Sequence, residues 1–190
     1  MNFLGHIYFS NNDLELMHAN LFGDFVKGRN LEGYAPEVQE GIILHRAIDT
    51  YIGQHEAVKQ LSKDLSGDLP KVATIAIDIF FDHFLAIHWN KFHDTPLDQY
   101  LAQFYEYSVQ EDLYPNERFL DVLFRMKKGQ WLSGYQNMQG IAMACEGVSQ
   151  RLSFPNTLKY GRYVLEQHYE RVEEAFFVYM KDAQSQFSKR

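Results

Sequence analysis

The chain has 190 residues, of which 46% are hydrophobic, 15% aromatic and 23% charged, and its formal charge is −7 with histidine neutral. A hydrophobic fraction this ordinary excludes disorder along the whole chain, and the length suits one domain with a sizeable core. The single cysteine, Cys145, excludes an internally disulfide-stapled scaffold, and the net acidity argues against a general nucleic-acid binder, which needs a basic face.

The apolar start, residues 1–9, lacks a basic leader, is broken by His6 and ends at Ser10-Asn11-Asn12-Asp13. It is too short for a signal peptide or a membrane span, so a cytoplasmic protein without a membrane partner is expected. Glu15-Leu16-Met17-His18 matches the Glu-x-x-His of di-iron bundles once only, whereas such bundles need two copies; it reads as part of a surface helix.

Prolines 36, 70, 96, 115 and 155 fall between periodic segments, and proline is tolerated at a helix start but not in its interior. Pro36 opens a helix through Ile52, Pro70-Lys71 one running to about Trp89, and Pro96 a third with Tyr100, Leu101, Phe104 and Tyr105. Pro115-Asn116 opens a fourth that Gly129 closes. Leu158, Leu165, Val172 and Tyr179 recur at seven, with Tyr169 and Phe176 between them, predicting a long amphipathic helix over about 156–182. Sustained period-2 strand patterns are missing. The expectation is an all-α helical bundle forming one domain over residues 1–190, with Cys145 a buried structural thiol.

Polar residues interrupt these helices in a consistent way. Seven of the eight histidines lie in the first half of the chain. In Ile75-Ala76-Ile77-Asp78-Ile79-Phe80-Phe81-Asp82-His83, two aspartates four apart share a helical face among large apolar neighbours. A carboxylate buried there needs a partner, because an unpaired one costs several kcal/mol. His45 and Asp49 stack at i and i+4 on another helix, while Asp24 and His6 are further polar intrusions into apolar settings. Brought together, these side chains would offer oxygen and imidazole ligands to one or two divalent ions: manganese or magnesium, or iron or zinc where imidazole contributes. For each residue alone a structural role stands beside that one; Asp49, for example, would pair with Arg46 or cap a turn.

Met1-Asn2-Phe3-Leu4-Gly5-His6, Gly23-Asp24-Phe25-Val26-Lys27-Gly28, residues 41–49 and residues 78–89 together resemble the acyl carrier protein phosphodiesterase family in order and spacing. The resemblance implies a helical fold related to the HD-domain phosphohydrolases. It also implies metal-dependent hydrolysis, with a preference for manganese and with magnesium or iron as alternatives. The substrate it implies is holo-acyl carrier protein, cleaved to apo-carrier protein and phosphopantetheine. By position in the motifs it assigns metal ligation to Asp24, His45, Asp82 and His83, joined by His6, and puts Asp49 and Asp78 beside them in catalysis. Arg46 would contact the phosphate or neutralise Asp49. The family usually carries an acid where this chain has Gly53. Other readings are a different phosphoester substrate, such as a nucleotide, and a catalytically weakened member that binds a carrier protein. An acidic carrier protein would need a local basic rim, for which Lys27, Arg29, Arg46, Arg125, Lys127, Lys128 and Arg151 are the candidates.

Overall fold

A computed structural model describes residues 1–187, and among them there is no strand. The helices in chain order are α1 (Phe3–Tyr8), α2 (Leu14–Phe22), α3 (Pro36–Gln54), α4 (Glu56–Leu65), α5 (Ala73–Ile87), α6 (Leu97–Glu106), α7 (Glu117–Gly129), α8 (Met138–Ser149), α9 (Gly161–Gln167) and α10 (Tyr169–Phe187). The all-α expectation holds. No helix is long and apolar enough to cross a membrane.

Proline and asparagine set the helix starts. Pro36 occupies the first turn of α3, Pro96 is the N-cap of α6, and the Asn116 side chain accepts from the Phe119 N–H at the start of α7. The Pro70 helix starts later than expected, at Ala73, because Lys71 takes a left-handed conformation (φ 67°) and the chain turns there. The expected helix over 156–182 is also divided. Leu158–Tyr160 form a 3-10 turn, α9 follows, and the chain leaves helical geometry at His168, whose Nε2 meets Asp68 at 3.0 Å.

Helix α5 is buried on nearly every side and packs against α1, α4, α8 and α10. Phe80, Phe81 and Phe84 are fully enclosed, and Phe81 meets Phe176 and Tyr179 of α10 through ring contacts. Cys145 is buried, as expected.

Helix α2 is not the surface helix expected from Glu15 to His18: Met17 to Phe22 are all buried between neighbouring helices. His18 stacks on Phe104 at 4.5 Å and its Nδ1–H donates to the Leu14 carbonyl. The tightest pairing in the fold joins α2 to α3, where Gly41 faces the Ala19 side chain and backbone so closely that a Cβ would collide with both. That close approach brings His45, one turn further along α3, against the end of α2.

Candidate functional site

The site begins with an anchored N-terminal helix. A six-residue helix cannot satisfy its own first N–H groups, and here one side chain of α5 does so. Asp82 accepts from the Asn2 and Gly5 N–H groups on Oδ1, both at 3.1 Å, and from the Leu4 N–H on Oδ2 at 2.7 Å. One turn earlier on α5, Asp78 pairs with the Met1 ammonium at 2.9 Å. Burial pushes the Asp82 carboxyl up to about 7, against the pull of that ammonium and of the Leu4 and Gly5 N–H groups. Both aspartates therefore hold α1 onto the core helix, and α1 carries His6.

The His6 ring is held by a second, fully buried network. The Asn20 amide donates to the His6 carbonyl at 2.9 Å and to Ser10 Oγ at 3.1 Å, so its Oδ1 must accept from His6 Nδ1, 2.9 Å away. Nε2 of His6 is then left without a proton of its own. It points at Asp49 Oδ1, 3.3 Å away, and His45 Nε2 approaches Asp49 Oδ2 at 3.1 Å. The two imidazoles stack at 4.2 Å with their planes 16° apart. Gly23 backs the His45 ring, since a Cβ there would lie 2.5 Å from His45 Cβ.

One ligand atom from each of His6, His45 and Asp49 lies within 4.8 Å of the others. The imidazoles are buried and the Asp49 side chain is 50% exposed, so the cluster is walled by protein and open to solvent on the carboxylate side. Burial lowers the His6 pKa, an effect that Asp49 opposes and His45 reinforces. Burial also pulls the Asp49 carboxyl up, but its contacts with the His45 and His6 rings, when a proton lies between ring and carboxylate, outweigh burial and hold Asp49 well below the usual carboxylate range.

These residues fit a divalent cation. An unprotonated His6 Nε2 facing a carboxylate is a repulsive contact between two lone pairs unless a proton or a metal ion lies between them. Burial disfavours the second proton on His6, while two imidazole nitrogens and a carboxylate are a common donor set for catalytic metals with open coordination positions. His45 Nδ1 is also buried without a hydrogen-bond partner.

His6, His45 and Asp49 share a cleft of about 180 Å³ with Asp24, Asp78, Asn2 and Arg151. The structure thus brings together five of the metal and catalytic candidates singled out from sequence, His6, Asp24, His45, Asp49 and Asp78. It does not bring Asp82 and His83 to the cluster. Asp82 is committed to backbone N–H groups, and His83 donates from Nδ1 to the Tyr135 carbonyl at 2.7 Å while Nε2 meets the Tyr169 hydroxyl at 3.0 Å. Arg46 does not pair with Asp49 either; its Nη2 donates to the Val26 and Gly28 carbonyls and ties down the loop after Asp24. Among the other basic candidates, Arg125 pairs with Asp121 and Lys127 donates to the Tyr107 carbonyl, whereas Arg151 lines the cleft. Asn20, which sets the His6 tautomer, is the participant that sequence reasoning missed: it lies 14 residues from His6, a separation that carries no helical or strand signal.

The chain is 29% identical to an acyl carrier protein phosphodiesterase of Salmonella dublin, with 100% of this chain and 99% of that protein aligned. It is 28% identical, over the same shares, to the proteins of that name from Salmonella agona and Salmonella newport. No solved structure matches the chain at a significant level. A sequence model described as acyl carrier protein phosphodiesterase matches residues 1–183, a span holding the His6–His45–Asp49 cluster and the α5 aspartates that anchor it. The chain belongs to the acyl carrier protein phosphodiesterase family.

Proposed function

We propose that this protein, acting as one domain in the cytoplasm, hydrolyses the phosphodiester joining phosphopantetheine to a serine of holo-acyl carrier protein. The new P–O bond comes from water, the bond from phosphorus to the serine oxygen breaks, and that oxygen leaves with a proton. The products are apo-carrier protein and free phosphopantetheine. Convergence of one ligand atom each from His6, His45 and Asp49 within 4.8 Å carries this reading.

His6, His45 and Asp49 would hold a divalent ion, manganese first, with Asp24 at the mouth of the same cleft completing the donor set. Such an ion screens charge on the phosphoryl oxygens and makes a water deprotonable near neutral pH. Asn20 keeps His6 Nε2 free to ligate by holding the proton on Nδ1. Asp78 lines the cleft and has its Oδ1 on the Met1 ammonium, which leaves Oδ2 to take the proton of the attacking water. Arg151 has no ion-pair partner among the described residues and contacts the phosphate in the place first given to Arg46. Gly53, where the family usually has an acid, lines a neighbouring groove and is outside the cluster of donors, which supports an intact centre.

The test is incubation of holo-acyl carrier protein with the protein and manganese, read by mass spectrometry. Loss of the phosphopantetheine mass is expected. Intact holo-carrier protein in the presence of metal-loaded protein would sink the reading.

A further inference from the structure

A second and larger space adjoins the cleft. It has a volume of about 510 Å³ and lies over the C-terminal half of α3, α4 and the start of α5. The two spaces share Asp49 and Asp78 as a common wall. Along α3, His45, Asp49 and Gly53 follow one another at i, i+4 and i+8, so one helical face runs from the imidazole cluster into this groove.

Its lining is mixed. Ile52 and Val58 are buried and form an apolar floor, while Ser62, Thr74, Lys59 and Lys63 supply hydroxyl and ammonium groups along the sides. Lys59 pairs with Glu56, but the side chains of Ser62, Lys63 and Thr74 take no hydrogen-bond or ion-pair partner among the described residues. Gly53 has no packing reason to be glycine: nothing lies within 4 Å of where a Cβ would stand. Glycine in a helix is less stable than alanine by about 1 kcal/mol. What its missing side chain does here is leave the groove open beside Asp49.

A phosphodiester has two substituents leaving the phosphorus on different sides. With phosphorus at the Asp49–Asp78 wall, one substituent enters the groove and the other leaves through the cleft that holds Asp24 and Arg151. The groove has the size of a small-molecule site and cannot take a folded protein. We infer that the groove bounded by Ile52, Gly53, Val58, Ser62, Lys63 and Thr74 binds the pantetheine arm of the substrate, with the carrier protein approaching from the Arg151 side. The arm is a linear chain in which methyl and methylene groups alternate with a hydroxyl and two amides, which matches an apolar floor edged by unpartnered hydroxyls and an ammonium. This assignment rests on the carrier-protein reading above.

The test is calorimetric titration of the full chain, with manganese present, using phosphopantetheine and inorganic phosphate as probes. The arm should make phosphopantetheine bind at least about tenfold tighter than phosphate. Gly53→Leu and, from the opposite wall, Ser62→Phe should each shrink that advantage to about threefold or less, with thermal melting confirming that both variants fold. Equal binding of the two probes by the wild-type protein overturns the assignment, as does an advantage that survives both substitutions. Hydrolysis separates this from the activity itself. If the wild-type protein cleaves holo-carrier protein and neither substitution moves KM or kcat, the phosphodiesterase reading stands and the groove assignment falls. If the wild-type protein leaves holo-carrier protein intact yet shows the phosphopantetheine advantage, the groove assignment stands and the phosphodiesterase reading falls.

Discussion

His6 and His45 come from helices far apart in the chain, yet their rings stack at 4.2 Å and both Nε2 atoms address the same carboxylate, Asp49. His45 reaches Asp49 because the two are one helical turn apart on α3. His6 reaches it only because Asp82 and Asn20 hold α1 and the ring in place. The cluster therefore depends as much on Asp82 and Asn20 as on its own three side chains.

Asn20→Ala removes the acceptor that keeps the proton on His6 Nδ1. Outer partners of metal-bound histidines are typically worth about 10–100-fold in metal affinity, and a loss of that order is expected for manganese. The buried His6 nitrogen and the groups Asn20 leaves behind also cost about 1–3 kcal/mol of stability. Titration of manganese into both proteins and denaturant unfolding check the two effects; unchanged affinity would mean that His6 does not ligate.

Asp82→Ala acts first on folding. It strips three backbone N–H groups at the start of α1 of one buried carboxyl acceptor, a loss of about 3 kcal/mol or more. Asp82→Asn, which keeps one oxygen acceptor, is expected to lie between the wild type and the alanine variant. It should still bind manganese when folded. If Asp82→Asn abolished binding in a protein of native stability, Asp82 would be a ligand after all.

Gly23→Ala places a methyl group 2.5 Å from His45 Cβ and 2.6 Å from its Cγ, so the His45 side chain or the backbone must shift. Overpacking of this kind costs about 1–3 kcal/mol, and the shift of His45 should weaken manganese binding as well. Gly53→Ala, where the space is open, is the comparison and should leave folding stability unchanged or slightly raised. Unfolding curves for the two variants decide the point.

His18 gives the protein a pH dependence outside the site. Burial lowers its pKa from 6.5 to about 4, helped by nearby Lys127 and opposed by the Leu14 carbonyl. Because the unfolded chain takes up this proton first, stability is full above pH 6.5 and falls as the pH drops from there through 4. The loss from this one group amounts to about 3 kcal/mol. His18→Leu removes the titration, so its unfolding midpoint should fall less than that of the wild type between pH 7 and pH 4.5. Parallel pH profiles would refute the assignment.

Much of this was legible in the chain itself. The prolines marked the starts of α3, α6 and α7, and Asp78, Asp82, His45 and Asp49 stood out as polar residues in apolar helices. What those residues do was less legible. Asp82 and Asp49 are the same residue type in similar helical surroundings, but one satisfies backbone N–H groups and the other faces two imidazoles. Asn20 carried no signal at all, and nothing local showed that Arg46 would tie down the loop after Asp24 while Arg151 lines the cleft.

Helix starts, apolar faces and the i, i+4 pairing of His45 with Asp49 were determined by the amino-acid order, because capping and a 3.6-residue period act over a few neighbouring residues. The tertiary structure alone decided which acids hold the fold and which face the cleft. Asp82 meets Leu4 across 78 positions of chain, and His6 meets Asn20 across 14. Contacts at such separations arise only when packed helices bring them together, here through the close α2–α3 approach at Gly41 and Gly23 and the burial of α5.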